Sequence, residues 1–241
     1  GATIGVLIGL YLYRRSTKLK KSYLWLVDRV VIVVAIGAAL VRIGNFTNSE
    51  IIGIPSDAPT AVIFAQTATS RLDANLVEEG RGLYDYNFTA TDKKVIIDSN
   101  VYIEYLLNLS YSGSEDEFHE FVLYRLTGIL NTNNPTYRHT SFNGFQEYEI
   151  SGDNNLKTAQ VKVLMLPRHP AQLYESFGYL RLFLLLYALY RKYGTEIQEG
   201  LLFGVFLFSL FTTRFFVEFV KENQVSFEDD LALNMGQNLS I

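Results

Sequence analysis

The feature that most limits how this chain can fold is residues 23–44, an apolar run broken only by Asp28-Arg29 near its start and Arg42 near its end. As a helix, Tyr23 to Arg42 rises about 28 Å, close to the roughly 30 Å of a bilayer's hydrocarbon core. The chain then continues Val41-Arg42-Ile43-Gly44-Asn45-Phe46-Thr47-Asn48-Ser49-Glu50-Ile51-Ile52-Gly53. An arginine, two amides and a carboxylate thus follow directly on a run too apolar for the surface of a soluble protein. Ionisable groups are costly to hold at membrane depth, so those kept there usually face a bundle interior or a wet cavity and serve function. The plainer alternative is an arginine that snorkels toward lipid head groups.

The other apolar runs give a consistent topology. Residues 2–13 are too short to cross a bilayer alone, so the chain is expected to begin inside a helix. That run ends in Arg14-Arg15-Ser16-Thr17-Lys18-Leu19-Lys20-Lys21, five cations with no acid, which the positive-inside rule assigns to the cytoplasm. A later span begins at the proline-bracketed elbow Pro167-Arg168-His169-Pro170, runs through Gln172, Tyr174 and Glu175 to Tyr190, and meets a second basic loop, Arg191-Lys192-Tyr193-Gly194. Arg181, near its middle, has no evident partner in the sequence. The last complete span, 197–220, holds thirteen uncharged residues before Arg214, with Glu218 at i+4 and Lys221 at the outer surface. After an outer loop containing Phe227-Glu228-Asp229-Asp230 the chain turns inward again. Arg42 and Arg214 therefore fall in the outer leaflet by separate arguments, Arg214 about 10 Å below the surface. Guanidinium forks bind phosphate oxygens and stay charged when desolvated, so a lipid phosphate is their natural shared ligand. A structural Arg214–Glu218 ion pair is the alternative.

Between these runs the period changes. Segments 61–64, 95–97, 101–105, 148–150 and 160–164 read as strands, and Ser114-Glu115-Asp116-Glu117 is a capping box opening a helix that Asn131-Thr132-Asn133-Asn134-Pro135 stops. From Phe46 to Pro167 sixteen acids face eight bases, which suits a solvated domain. The expected architecture is an α-helical polytopic membrane protein with an inserted extracytoplasmic α+β module: 1–56 and 167–241 in the membrane, 57–166 outside. With no cysteine, disulfides and a cysteine nucleophile are excluded, and three scattered histidines lack the spacing of a metal site. A net charge of -4 leaves no nucleic-acid footprint.

Four motifs in fixed order resemble the prolipoprotein diacylglyceryl transferase family. They are Arg42-Ile43-Gly44-Asn45-Phe46 with Asn48, Glu50 and Gly53; Arg168-His169-Pro170 with Gln172-Leu173-Tyr174-Glu175; Arg214-Phe215-Phe216 with Glu218-Phe219; and Met235-Gly236-Gln237 with Leu239-Ser240. The resemblance covers about 1–56 and 167–241. It implies a bacterial inner-membrane enzyme of seven spans, so further spans are expected before this stretch and beyond it. It also implies transfer of the diacylglyceryl group of phosphatidylglycerol to the lipobox cysteine of a prolipoprotein signal peptide, with release of glycerol phosphate and no metal or cofactor. On this resemblance Arg42 and Arg214 are catalytic. Asn45, Asn48, Glu50, Gly53, His169, Gln172, Tyr174, Glu175 and Glu218 bind or orient substrate. Two positions depart from the family pattern: its histidine, a candidate base, would directly precede Gly1, and its tyrosine one turn before the second arginine is Leu210 here. A membrane protein that binds or transports phospholipid without breaking a bond is the competing function.

The topology is open to a direct check. Cysteines introduced singly at Ser16 and Ser151 should react from opposite faces of intact inner membrane, and equal labelling of both by an impermeant reagent added outside would overturn the arrangement.

Overall fold

The computed structural model describes residues 2–17, 21–131, 139–152 and 156–221. The chain separates into two compact units, one made of residues up to 51 with those from 171, the other of 52–170.

Among the described residues, four α-helices build the first unit: α1 (Ala2–Ser16), α2 (Tyr23–Thr47), α6 (Ala171–Tyr193) and α7 (Leu201–Glu218). Ser22 starts α2 by accepting a hydrogen bond from the Trp25 N–H, leaving one fewer orphan donor at the helix end. Val27, Val31 and Ala35 of α2, Leu182 and Leu186 of α6, and Leu202 and Phe206 of α7 close the core. Two helices, α2 and α7, are long and apolar enough to cross a membrane, and only 33% and 22% of their apolar windows is buried. Val33, Leu40, Phe208 and Phe216 stand out from the bundle, so these helices need a non-aqueous neighbour on that side. At 23 residues α6 rises about 34 Å, and it carries Glu175 and Arg181.

The helix packing accounts for charges the sequence left without partners. Gly200, at φ 90°, precedes α7 and has no side chain to cap it. Asp28, fully buried on α2, does so instead: its carboxylate accepts from the Gly200 N–H at 2.7 Å and the Phe203 N–H at 2.8 Å. Its neighbour Arg29 points elsewhere, its guanidinium lying 4.1 Å from the Trp25 ring and 5.7 Å from that of Tyr190. Arg181 lies over the Phe177 ring one turn earlier, 5.8 Å away. Cation–π contact of this kind offsets part of the cost of a mid-helix charge.

The second unit holds α3 (Gln66–Asp73), α4 (Glu115–Glu120), a π-helical turn (Phe121–Leu126) and α5 (Thr127–Leu130). Its strands are β1 (Gly82–Ile97), β2 (Asn100–Ser112), β3 (Thr140–Phe142), β4 (Ile150–Ser151) and β5 (Leu156–Met165). They form one antiparallel sheet in the order β1-β2-β5-β3, with β4 also on β5. Leu107, Leu109, Val161 and Val163 pack against Phe118, Val122 and Leu126, and the Ser114–Glu117 capping box starts α4 as its sequence predicts. Segment 61–64 is not a strand. Only Val62 pairs, in an isolated bridge with Arg168. Of 148–150, Ile150 alone is in a strand. The expected helix stop at 132–135, the middle of the first basic loop, the outer loop and the last motif lie outside the described residues. His119 meets the Tyr148 hydroxyl at 2.8 Å, whereas His139 is buried, its imidazole pushed down to about 4 by burial and then by the charges of Arg168 and Arg71.

Removing the Asp28 carboxylate leaves the α7 N–H groups buried and unpaired, a cost of about 1–3 kcal/mol. Asp28→Ala should lower the unfolding temperature in detergent clearly, and Asp28→Asn, which keeps one acceptor for two donors, less so; unchanged melting of both would show that α7 is anchored otherwise.

Candidate active site

The polar residues of the first unit gather along one line of α6. Gln172, Glu175, Ser176 and Tyr179 recur at i, i+3, i+4 and i+7, so they share a face, and all four are buried. That face meets the end of α2. The Arg42 Nε donates to Glu175 Oε2 at 2.5 Å, an ion pair in which the carboxylate side chain is 1% exposed and the arginine 16%. The same guanidinium donates to the Tyr179 hydroxyl, and the charges of Glu175, Arg42 and Arg214 all act on that phenol. Ser176 donates to the Ala39 carbonyl at 2.9 Å, holding the two helices in register one turn below.

Immediately after α2 the backbone turns sharply. Ser49 and Ile51 both have positive φ, 55° and 56°. A β-branched residue in this region is strained, typically by about 1–3 kcal/mol. The turn directs the Glu50 carbonyl at α6, where the Gln172 amide donates to it at 2.5 Å. Glu50 and Asn48 themselves are exposed and Asn45 is half-buried. Two buried acceptors on the α6 face, Glu175 Oε1 and Gln172 Oε1, have no hydrogen-bond partner among the described residues. Buried oxygens left without a donor cost about 1–3 kcal/mol each, so both have room for a further hydrogen bond.

Arg214 comes to this site through a close helix crossing. A Cβ on Gly178 of α6 would run into the Thr213 side chain of α7, so the bare glycine is what lets the two helices approach beside Tyr179. Arg214 is half-buried and makes no ion pair among the described residues. Glu218 does not pair with it: the buried carboxylate bonds Lys221 instead at 3.3 Å. Leu210, the departure noted above, packs against the bundle core and brings no hydroxyl. Tyr174 is half-buried one residue before Glu175.

Gly53 and His169 belong to the second unit. Their backbones join there, the Gly53 N–H donating to the His169 carbonyl at 3.0 Å and the His169 N–H to Ile54 at 3.1 Å. Buried Arg168 donates to the Gly53 carbonyl at 3.2 Å. Of the residues singled out in the sequence, the first unit thus brings together Arg42, Gln172, Glu175, the Glu50 carbonyl and Arg214. Tyr179, Ser176 and Gly178 were not singled out, although a polar stripe at helical spacing inside an apolar run is a readable signal.

Apolar helices that bury an arginine–carboxylate pair, beside a second arginine with no ion pair among the described residues, are features of a membrane-protein class. Comparison with known families makes this specific: residues 1–241 match the family model described as prolipoprotein diacylglyceryl transferase, and the chain belongs to that family. Its curated relatives named phosphatidylglycerol–prolipoprotein diacylglyceryl transferase include one from Bacteroides fragilis, 30% identical over all of this chain and 52% of its own length. One from Chloroherpeton thalassium is 28% identical over all of this chain and 54% of its length, and one from Porphyromonas gingivalis 26% over all of this chain and 56%. The chain spans about half the length of these relatives.

The Gly178 crossing can be tested by compensation. Gly178→Ala should force α7 away from Tyr179, at a cost of about 1–3 kcal/mol for overpacking, and reduce turnover of the full-length protein. Thr213→Ala added to it should restore both stability and rate; if the double variant is no better than the single one, the crossing does not set the position of Arg214.

Proposed function

We propose that this chain is the catalytic part of a phosphatidylglycerol:prolipoprotein diacylglyceryl transferase of the bacterial inner membrane, with its helices crossing the bilayer several times and the sheet-bearing module inserted on the periplasmic side. On this reading 1–56 and 167–241 are the membrane part and 57–166 the module. Family membership supports the reaction, and one observation carries the chemistry: Arg42 is held by buried Glu175 at 2.5 Å, while Arg214, near the same Tyr179, has no ion pair among the described residues.

The reaction is a displacement at carbon. The lipobox thiolate forms a thioether with the glycerol carbon of the diacylglyceryl group while the bond from that carbon to the phosphate oxygen breaks. The electron pair leaves on glycerol phosphate. Negative charge therefore grows on the departing phosphate, and preorganised cations in a water-poor site stabilise it without reorganising. Arg214, with no ion pair among the described residues, meets this phosphate with its guanidinium fork. Arg42, fixed by Glu175, adds its remaining N–H groups in a set direction. The unpaired oxygens of Glu175 and Gln172 accept from the head-group hydroxyls, which a bare phosphate lacks. Asn45, Asn48, Glu50 and Tyr174 extend the contact to the head group, Glu218 steadies the end of α7, and Gly53 with His169 fixes the elbow of the module. The prolipoprotein peptide and the bilayer are the partners, with no metal or cofactor taking part.

Release of glycerol phosphate from phosphatidylglycerol by the full-length protein, dependent on a lipobox-cysteine peptide, separates this enzyme from a lipid binder or transporter. Arg42→Ala and Arg214→Ala should each lower that rate by about two to three orders of magnitude, the lysine variants by less, since lysine keeps the charge but loses the planar fork. Because both arginines act on one phosphate, the double alanine variant should lose less than the product of the single losses. Near-normal rates in the single variants would refute the assignment.

A further inference from the structure

The second unit ends in a feature the transfer reaction does not use. Strands β1 and β2 run past the rest of the sheet: β5 stops pairing at Met165, opposite Ile103, while the hairpin continues through the pairs Val95–Tyr102, Ile96–Val101 and Ile97–Asn100. The projection is about 10 Å at 3.3 Å per residue. It is closed by Asp98 and Ser99, both with positive φ, 48° and 66°, a tight two-residue turn whose twist matches the strands. An irregularity between Ala90 and Lys94 marks the base of the projection.

Its composition is unusual for a part of an acidic, solvated module. Val95, Ile96, Ile97, Val101, Tyr102 and Ile103 occupy the tip, and Ile96 is 73% exposed. Two paired strands without further cover are at best marginally stable in water, and an exposed apolar edge invites aggregation. The tip therefore needs an apolar neighbour. Its direction says which one. The chain enters this unit at Gly53 and Ile54 and leaves it at Arg168 and His169, which are hydrogen-bonded to each other, and Met165 of β5 lies three residues from that exit. The hairpin thus projects from the end of the sheet to which both connections to the membrane-type helices are attached.

We propose that the β1–β2 hairpin tip rests in the head-group layer of the phospholipid bilayer. Ile96 and its neighbours enter the upper acyl boundary, the Asp98 carboxylate at the turn keeps the tip from going deeper, and exposed Lys94 reaches back to lipid phosphates. The module is then held to the membrane at a third point besides its two chain connections.

The test rests on the bilayer reading of the helices and checks that reading separately. In the full-length protein with no other cysteine, Ile96→Cys, Asp116→Cys and Val33→Cys are made singly, labelled with an environment-sensitive fluorophore and reconstituted in phosphatidylcholine–phosphatidylglycerol nanodiscs. Asp116 is exposed beyond the opposite end of β2, and Val33 is an outward residue of α2. Lipids carrying a nitroxide at a shallow position should quench the Ile96 label at least about twofold more than the Asp116 label, and more than deep-chain nitroxides do. The Val33 label should be quenched by deep-chain nitroxides. Quenching at Val33 with none at Ile96 above the Asp116 level overturns the docking. Absence of quenching at Val33 overturns the bilayer reading, and the docking with it. Shielding of Ile96 that appears only when a lipobox peptide is added makes the tip a peptide contact and likewise overturns it.

Discussion

The Arg42–Glu175 ion pair is the interaction on which the first unit depends. It joins the end of α2 to the start of α6, and its carboxylate is almost wholly removed from solvent. An isolated carboxylate so placed would cost several kcal/mol, and an isolated arginine comparably; each makes the other tolerable. Such a pair adds little net stability, but breaking it by removing one partner is expensive, so it enforces one register of the two helices. Ser176 on Ala39, Gln172 on the Glu50 carbonyl and Tyr179 on Arg42 all follow from that register.

The pair also decides how the two arginines differ. Arg42 is held by a carboxylate, so under the proposed function it contributes direction and little net charge. Arg214 stands on α7 without an ion pair among the described residues, so under the same proposal it contributes the charge. A site with both arginines free would repel itself, and one with both neutralised would have no pull on an anion. Asp28 belongs to the same logic from the far end of α7, since a helix whose start is fixed by two hydrogen bonds has its later residues fixed in rotation.

The long elements were legible because periodicity reports local structure directly: α2, α7 and most strands of the middle segment all carry it. The Ser114 capping box was legible for the same local reason. What escaped is non-local. Nothing near Asp28 in sequence indicates that its partners are the N–H groups of Gly200 and Phe203, and nothing in the i+4 spacing of Glu218 after Arg214 tells that Lys221 is the partner Glu218 takes. Segment 61–64 has strand composition, yet composition does not choose a partner, and only Val62 finds one, in Arg168. Tyr179 was masked by the apolar residues around it, because a phenol is compatible with a core and with a site alike.

The joined backbones of Gly53 and His169 have a consequence for the second unit itself. Its chain begins and ends at practically one point, tied by the Gly53 and His169 N–H groups. Closing a long loop costs entropy that grows only slowly with its length, and here that closure is made by the loop's own neck. The strands and helices between can therefore gather round a core of their own, as a purse gathers below its drawstring.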